Sequence, residues 1–191
     1  MYRIKKNILY LSVALFMVPF SAGVCQAQVK DSNLKHFPKG SSPKEIGERV
    51  AHRFLESPHQ NFGRKTPPKK ITYPEVCTWY GALTFAKVSR NKKMVKQLAT
   101  RFEPLFGKDA SLVPTPDHVD HTVFGTVPLE LYMLTRDQKY LKMGIRFPDA
   151  QWGKPFGSHV KPASLVFYKD GLTWQTRMWI DDMYMITAVE V

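Results

Sequence analysis

Three segments of the 191-residue chain combine aromatic side chains with acids, at residues 73–80, 117–125 and 174–182. Each stands near the start of a helix that the sequence pattern predicts. Aromatic rings stack on the apolar faces of sugars, and carboxylates carry protons to and from a reacting group. The combination therefore favours a carbohydrate site in which an acid does the chemistry.

The adjacent acids Asp181 and Asp182, beside Trp179, give the sharpest chemical signal. Two neighbouring carboxylates oppose each other's ionisation, and burial against an indole ring raises a carboxyl pKa further. One of the two can therefore hold a proton at neutral pH. Successive helical residues point about 100° apart, so both acids cannot face one substrate atom. We predict that Asp181, one turn after Arg177 and one turn before Met185, is the catalytic acid.

The other candidate residues also have a purely structural interpretation. Asp117 and Asp120 at a helix start fit caps or partners of the helix dipole. Trp79 and Phe124 on helical stripes fit a core better than a sugar platform. From the three segments we nevertheless predict a set of side chains that contact substrate: Tyr73, Trp79, His121, Trp174, Arg177, Trp179 and Asp182.

A metal site is suggested by the run from His118 to His121, which holds two histidines and Asp120. Zinc sites need three or four ligands, and no matching pattern occurs elsewhere in the sequence. The chain also has no glycine-rich phosphate loop, serine elbow or HExxH motif. We therefore predict no metal site and no cofactor.

Helical periodicity predicts the elements that position these residues. A first helix is expected to open with a capping box at Ser42, Pro43 and Glu45. Its buried face is expected to consist of Ile46, Val50 and Phe54. Further helices are expected from about residue 73, over about 92–106 and 120–134, from 137, and from 177. Pro128 should kink the helix expected at 120–134. Long loops are predicted at 57–72, 107–117 and 148–176.

An internal repeat relates two of these turns. Residues 89–96 match residues 135–142 at a constant offset of 46, conservatively at nearly every position. Tetratricopeptide repeats are shorter, about 34 residues, whereas two helices with two unequal loops account for this period. Tight turns then lie at one end of a helix array and long loops at the other. Because long loops on a rigid scaffold usually carry function, the three acid-bearing segments are expected to share that end.

Residues 177–185, together with Asp120-His121, Phe124-Gly125 and Tyr73-Pro74-Glu75, resemble glycoside hydrolase families 105 and 88. These are the unsaturated rhamnogalacturonyl and glucuronyl hydrolases. The resemblance covers residues 42–191 and implies an all-α fold, the N-terminal half of a six-hairpin (α/α)6 toroid. The family acid corresponds to Asp181, and a second, substrate-orienting Asp corresponds to Asp120. Asp182 departs from the family pattern, in which Gly often follows the acid.

The chemistry that this resemblance implies is hydration. The family's substrates end in a 4,5-unsaturated uronic acid, and a single Asp protonates the enol-ether carbon and assists attack by water on the neighbouring carbon. The resulting hemiketal collapses and releases the sugar. The alternative that remains open is a non-catalytic helical-repeat module that binds carbohydrate or protein.

Residues 1–27 fit a secretory signal, with a basic start, an apolar run and a small residue, Ala27, for cleavage. The apolar run is nearly long enough for a membrane anchor, but the missing stop-transfer charges favour cleavage. We therefore expect an exported protein, periplasmic or secreted, without stable membrane insertion. Residues 28–41 should form a flexible segment that precedes the glycoside hydrolase domain at 42–191.

The charge of the chain is +12, and +9 remains after removal of the three basic residues within 1–27. This excess fits an acidic oligosaccharide as partner, although a solvated basic surface explains it as well. No nucleic-acid partner is expected. Cys77, the cysteine that remains, is expected to be small, buried and unpaired.

The last residues form an apolar helical run that ends at Val191 without a cap or a polar tail. Natural chains rarely end in this way, because the last carbonyl groups and the apolar stripe need cover. The ending predicts a truncated reading frame or an artificial boundary. A domain cut at this point would lack the later hairpins that hold the substrate carboxylate, so its activity is an open question.

Overall fold

The structure is a computed structural model, and it describes residues 36–175 together with Asp182 and Met185. The regular structure of this part is helical, with no strand, which confirms the predicted all-α class. Its α-helices are α1 (Pro43–Glu56), α2 (Tyr73–Val88), α3 (Lys92–Phe102), α4 (Val119–Thr122), α5 (Thr126–Thr135), α6 (Gln138–Gly144), α7 (Arg146–Trp152) and α8 (Pro162–Lys169). The predicted signal segment and most of the predicted last helix lie outside the described residues.

Helix α1 begins as its sequence predicts but buries a different face. Ser42 and Glu45 form the expected capping box, with proline in the first turn. The predicted inner residues Ile46 and Val50 are 43% and 58% exposed, so that prediction is wrong. Phe54 is buried as predicted, but the rest of the face is offset by one position, to Gly47, where Phe85 approaches closely, and to Ala51.

Helix α2 carries the centre of the core. Trp79 is fully buried, and its ring contacts Phe54 and Phe102 edge-on at 5.5 and 5.4 Å between ring centroids. The predicted inner stripe of this helix is confirmed at Val76, Trp79, Leu83 and Ala86. Cys77 lies on the opposite, exposed face, so the expectation that it is buried is wrong.

Helix α3 is shorter than predicted. It ends at Phe102, and a 3-10 turn, Glu103–Phe106, completes the expected segment before Gly107. Pro104 explains the change, because proline has no N–H to donate within an α-helix. Met94, Leu98 and Phe102 form the buried stripe, as the sequence predicts.

The predicted fourth helix is interrupted one turn earlier than expected. A 3-10 turn, Val123–Gly125, separates α4 from α5, and Pro128 follows inside α5. Proline cannot donate to the carbonyl four residues before it, and its ring collides with that carbonyl, here that of Phe124. The break therefore falls before the proline. It separates the short α4 segment, which carries Asp120 and His121, from α5.

The two turns of the internal repeat have the same backbone. Arg90 and Arg136 both adopt a left-handed conformation, with φ of 55° and 62°. The next residue in each turn, Asn91 or Asp137, caps the following helix by accepting a backbone N–H with its side chain. The 46-residue repeat of the sequence is therefore a structural repeat of helical hairpins.

The region predicted as one long loop at 148–176 contains regular structure, so that prediction is wrong. Helix α7 continues to Trp152, and α8 occupies Pro162–Lys169. What remains irregular is the segment 153–161, which we call the clamp loop, and the segment 170–175. The clamp loop reaches back to the start of α4.

The other long connections meet at one end of the helices, as the alternation of loop lengths predicts. The N–H of Ile71 donates to the carbonyl of Leu112 at 2.8 Å, which joins the loop before α2 to the loop before α4. The amide of Gln175 donates to the carbonyl of Pro116 at 2.8 Å. The loops that lead into the first two acid-bearing segments are thus joined, and Gln175 of the third segment contacts the residue just before the second. Within the described part of the chain, no helix is long and apolar enough to cross a membrane.

The packing of two glycines gives a direct test of this fold. A methyl group at Gly125 would lie 2.5 Å from Cβ of Phe147, so Gly125→Ala should destabilise the protein by about 1–3 kcal/mol through overpacking. A methyl group at Gly81, inside α2, would meet nothing. Gly81→Ala should therefore stabilise the protein by up to about 1 kcal/mol, because alanine is the better helix former. Urea denaturation measures both, and equal effects of the two changes would contradict the packing.

Candidate functional site

Asp117, just before α4, is a buried acid that accepts several hydrogen bonds. Its Oδ1 lies 3.0 Å from Nδ1 of His121, one turn further along the chain. Its Oδ2 lies 3.0 Å from Nδ1 of His159, and it accepts the backbone N–H of Ser158 at 3.2 Å. The carboxylate therefore joins α4 to the clamp loop.

These contacts set the charges in the cluster. Burial raises the pKa of Asp117, but the hydrogen bonds from His121 and His159 outweigh it and lower the pKa to about 2. For His121, burial lowers the pKa, the bond to Asp117 raises it, and the positive charge of Lys70 lowers it again, with a net decrease. At neutral pH the cluster thus holds an ionised Asp117 beside a neutral His121.

The clamp loop fits against Asp117 through a glycine. Gly157 has a φ of 86°, a left-handed conformation that favours glycine. A Cβ atom at this position would lie 2.4 Å from Oδ2 of Asp117. The loop can therefore approach the carboxylate only because residue 157 has no side chain.

The first turn of α4 presents Asp120 towards solvent. His118 is the N-cap of the helix, and its Nδ1 accepts the N–H of Asp120 at 3.3 Å. The Asp120 side chain is 31% exposed, and its Oδ2 lies 3.6 Å from the same His118 nitrogen. The interpretation of Asp117 as the cap is therefore wrong, because His118 takes that position. Asp120 remains accessible to a ligand.

A buried amide joins this turn to the third acid-bearing segment. The hydroxyl of Thr122 donates to Oε1 of Gln175 at 2.7 Å, and both residues are buried. Asp182, seven residues further along the chain, is only 2% exposed. The contact of Thr122 places Gln175 directly beside α4, as the loop-length argument predicts for the third acid-bearing segment.

Three of the predicted substrate-binding residues are too buried for that role. Trp79 is fully enclosed between Phe54 and Phe102 and belongs to the core. Trp174 is 2% exposed, and its indole N–H donates to the carbonyl of Ala150 at 2.7 Å. Asp182 has no surface that a sugar can reach.

The remaining predicted site residues are accessible or lie outside the described part. Tyr73 is half-buried against Phe62, with ring centroids 5.9 Å apart. About a tenth of the His121 side chain is exposed. Asp181, Arg177 and Trp179 lie outside the described residues, so the assignment of Asp181 as the acid stays a prediction.

Sequence reasoning missed His159 as a member of the site. This histidine stands alone in a stretch that was interpreted as a loop, and it lies 42 residues beyond Asp117, so no local spacing connects the two. The neighbouring Gly157 was the available signal, because a glycine within a long loop often marks a close approach. His159 also supplies the third side chain whose absence was the ground for expecting no metal site.

A second buried acid, Glu75 at the start of α2, has a structural role. It accepts hydrogen bonds from His59 at 2.6 Å, from the N–H of Gln60 at 3.2 Å and from Arg101 at 3.2 Å. Arg101 also stacks over Phe54, 4.3 Å from the ring centroid. With its oxygens occupied, Glu75 fixes the loop after α1 against α2 and α3, and we assign no chemistry to it.

The described part is an all-helical scaffold of hairpins with an accessible acid and a histidine cluster at its long-loop end, which is consistent with a helical glycoside hydrolase. The model of Glycosyl Hydrolase Family 88 matches residues 46–190, most of the chain, and the chain belongs to that family. No curated protein and no solved structure gave a significant match. The predicted family resemblance is thus confirmed, and a toroid fragment is consistent with the helical fold.

The clamp-loop contact can be tested with two matched glycine variants. Gly157→Ala places an alanine in a left-handed backbone conformation and also makes its Cβ collide with Asp117. Gly171→Ala, at a φ of 72°, causes the same backbone strain without a collision, because its Cβ would meet nothing. We expect Gly157→Ala to break the contact between the clamp loop and Asp117 and therefore to accelerate amide hydrogen exchange at Ser158. Gly171→Ala should leave that amide protected. Unchanged protection in Gly157→Ala would contradict the contact.

Proposed function

We propose that this member of the glycoside hydrolase family is an exported enzyme that removes a terminal unsaturated uronic acid from oligosaccharides left by polysaccharide lyases, such as pectin or rhamnogalacturonan fragments. The observation that carries the proposal is the placement of Asp120. This acid is accessible at the long-loop end of the scaffold, and Thr122 in the same turn is hydrogen-bonded to the segment that leads to Asp181.

The proposed reaction is the addition of water to an enol ether. Asp181 gives its proton to C4 of the unsaturated ring, and a water molecule, deprotonated in turn by the Asp181 carboxylate, adds to C5. The product is a hemiketal, whose ring opens and releases the remaining sugar. The net change is the consumption of one water molecule, and Asp181 ends in its initial protonated state. One acid performs both proton transfers, so the paired spacing of ordinary glycosidase carboxylates is not needed.

Asp120 is proposed to orient the sugar by accepting hydrogen bonds from its hydroxyl groups. The backbone N–H of Asp120 is held by His118, which fixes the turn that presents the carboxylate. Positioning of this kind lowers the barrier because the reacting carbon is held within reach of the acid. The buried Asp182 leaves Asp181 as the member of the acid pair that we assign to chemistry.

The charge and the N-terminal residues support the remaining parts of the proposal. The net charge of +9 that remains without residues 1–27 favours an acidic oligosaccharide over a neutral one, and we propose no nucleic-acid partner. The basic and apolar start of the sequence supports export to the periplasm or the medium. Both statements are independent of the catalytic assignment.

The proposal predicts loss of ultraviolet absorbance when the purified full chain is mixed with lyase-generated unsaturated disaccharides, because hydration removes the conjugated double bond. Asp181→Asn should lower kcat by about 10²–10⁴-fold, the usual contribution of a general acid. Asp170→Asn makes the same chemical change at an exposed position after α8 and should leave kcat unchanged. Equal rates in the two variants would contradict the assignment, and binding without turnover by the unaltered chain would indicate a non-catalytic module.

Asp120→Asn tests the orienting role separately. A neutral amide still donates and accepts hydrogen bonds but loses the charge, so we expect kcat/KM to fall by about 10²-fold, the scale reported for misplaced substrates. The proton-transfer step itself should remain, with measurable turnover at high substrate concentration. A variant with unchanged kcat/KM would remove Asp120 from the site.

A further inference from the structure

Potential metal-binding atoms of three side chains from different segments lie close together. The side chains are Asp117 before α4, His121 within α4 and His159 in the clamp loop, and one ligand atom from each lies within 4.8 Å of those of the other two. Nothing in the family match assigns a metal to this chain. The proposed reaction also leaves the three residues without a chemical role.

The distances within the cluster resemble those of a tetrahedral site. Nδ1 of His121 and Nδ1 of His159 each lie 3.0 Å from a carboxylate oxygen of Asp117. Zinc bonds of about 2.0–2.1 Å in a tetrahedron separate neighbouring ligand atoms by about 3.3 Å. The two histidine–carboxylate separations are therefore within a few tenths of an ångström of that value, and His121 and His159 offer ligand atoms within 4.8 Å of each other.

We propose that Asp117, His121 and His159 form a binding site for a divalent transition metal, with zinc as the expected ion. Two imidazole nitrogens with one carboxylate oxygen form a ligand set that zinc accepts. Three protein ligands leave a fourth position for water or another small ligand. The 42% exposure of the His159 side chain gives an ion a path from solvent.

Two of the three ligands are buried, and the third is partly exposed. The side chains of Asp117 and His121 are 5% and 11% exposed, so both are already held in place by the fold. His159 stands on the clamp loop, which Gly157 and Ser158 fit against the same carboxylate. The site is thus largely formed before an ion enters, and the ion would add a further link between the clamp loop and Asp117.

Metal binding has a structural consequence that can be measured without substrate. The ion would replace hydrogen bonds between α4 and the clamp loop by coordination bonds. Because the ion binds the folded chain, it should raise the thermal transition temperature, and above the dissociation constant the rise should follow the logarithm of the free zinc concentration. Asp181 is not one of the three ligands, so the existence of the site does not depend on the proposed hydrolase reaction.

The same contacts have a simpler interpretation, in which protons on the two Nδ1 atoms hold the cluster together and no ion is bound. Zinc binding distinguishes the two. The full chain, without a histidine tag, is stripped with a chelator and titrated with zinc chloride by calorimetry. Binding of one equivalent is expected, and cobalt(II) should give the intense visible bands of a tetrahedral complex.

The variant His159→Gln tests the site with little risk to folding, because His159 is an exposed loop residue. Loss of a ligand should weaken zinc binding by roughly 100-fold or more, since even the loss of a ligand's hydrogen-bond partner costs about 10–100-fold. His52→Gln makes the same change at an exposed position of α1 and should bind zinc as the unaltered chain does. His121→Gln should also lose binding.

The result that would overturn the proposal is either of two observations. One is the absence of zinc uptake by the unaltered chain at micromolar metal. The other is equal zinc affinity in His159→Gln and His52→Gln. Failure of the unsaturated-disaccharide assay with intact zinc binding would refute only the proposed reaction, and loss of zinc binding with intact turnover would refute only the metal site.

Discussion

The carboxylate of Asp117 receives hydrogen bonds from His121, from His159 and from a backbone N–H of the clamp loop. A buried ionised acid is costly unless such donors compensate for its lost hydration, and here the donors come from segments about 40 residues apart in sequence. The position of the clamp loop over α4, the orientation of the His121 ring and the close approach at Gly157 all depend on this one group. The accessible acid Asp120 lies one turn away from it.

The residues that stabilise the helical scaffold are different from those of the candidate site. Trp79, Phe102 and Phe124 form an aromatic core that connects α2, α3 and the turn before α5, and Glu75 with Arg101 secures the loop that leads into α2. None of these groups needs to change during a reaction. The repeated turns at Arg90 and Arg136 close the opposite end of the hairpins and leave the long loops free to carry polar residues. Such a division explains why buried Glu75 and accessible Asp120 have different roles although both begin a helix.

Much of the scaffold could be predicted from the sequence because its signals are local. The capping box at Ser42, the stripe from Val76 to Ala86 and the 46-residue repeat depend on residues within one or two helices of each other. The sequence-based predictions were wrong where contacts between distant segments determine the local structure or the burial of a side chain. Gly47 rotated the buried face of α1 towards Phe85, helix α8 formed inside a predicted loop, and Trp79 and Trp174 proved to be buried. His159 could not be assigned to the site, since its partner Asp117 is distant in sequence and only the fold brings them together.

The central claim is that a member of Glycosyl Hydrolase Family 88 hydrates an unsaturated uronic acid with Asp181 as the acid. The most direct measurement compares turnover of two disaccharides that differ only in the 4,5 double bond of the terminal uronic acid. Hydration requires that double bond, so the account predicts release of the second sugar from the unsaturated disaccharide alone. Equal turnover of the saturated disaccharide, or turnover of that compound only, would show ordinary displacement at the glycosidic carbon and would contradict the account.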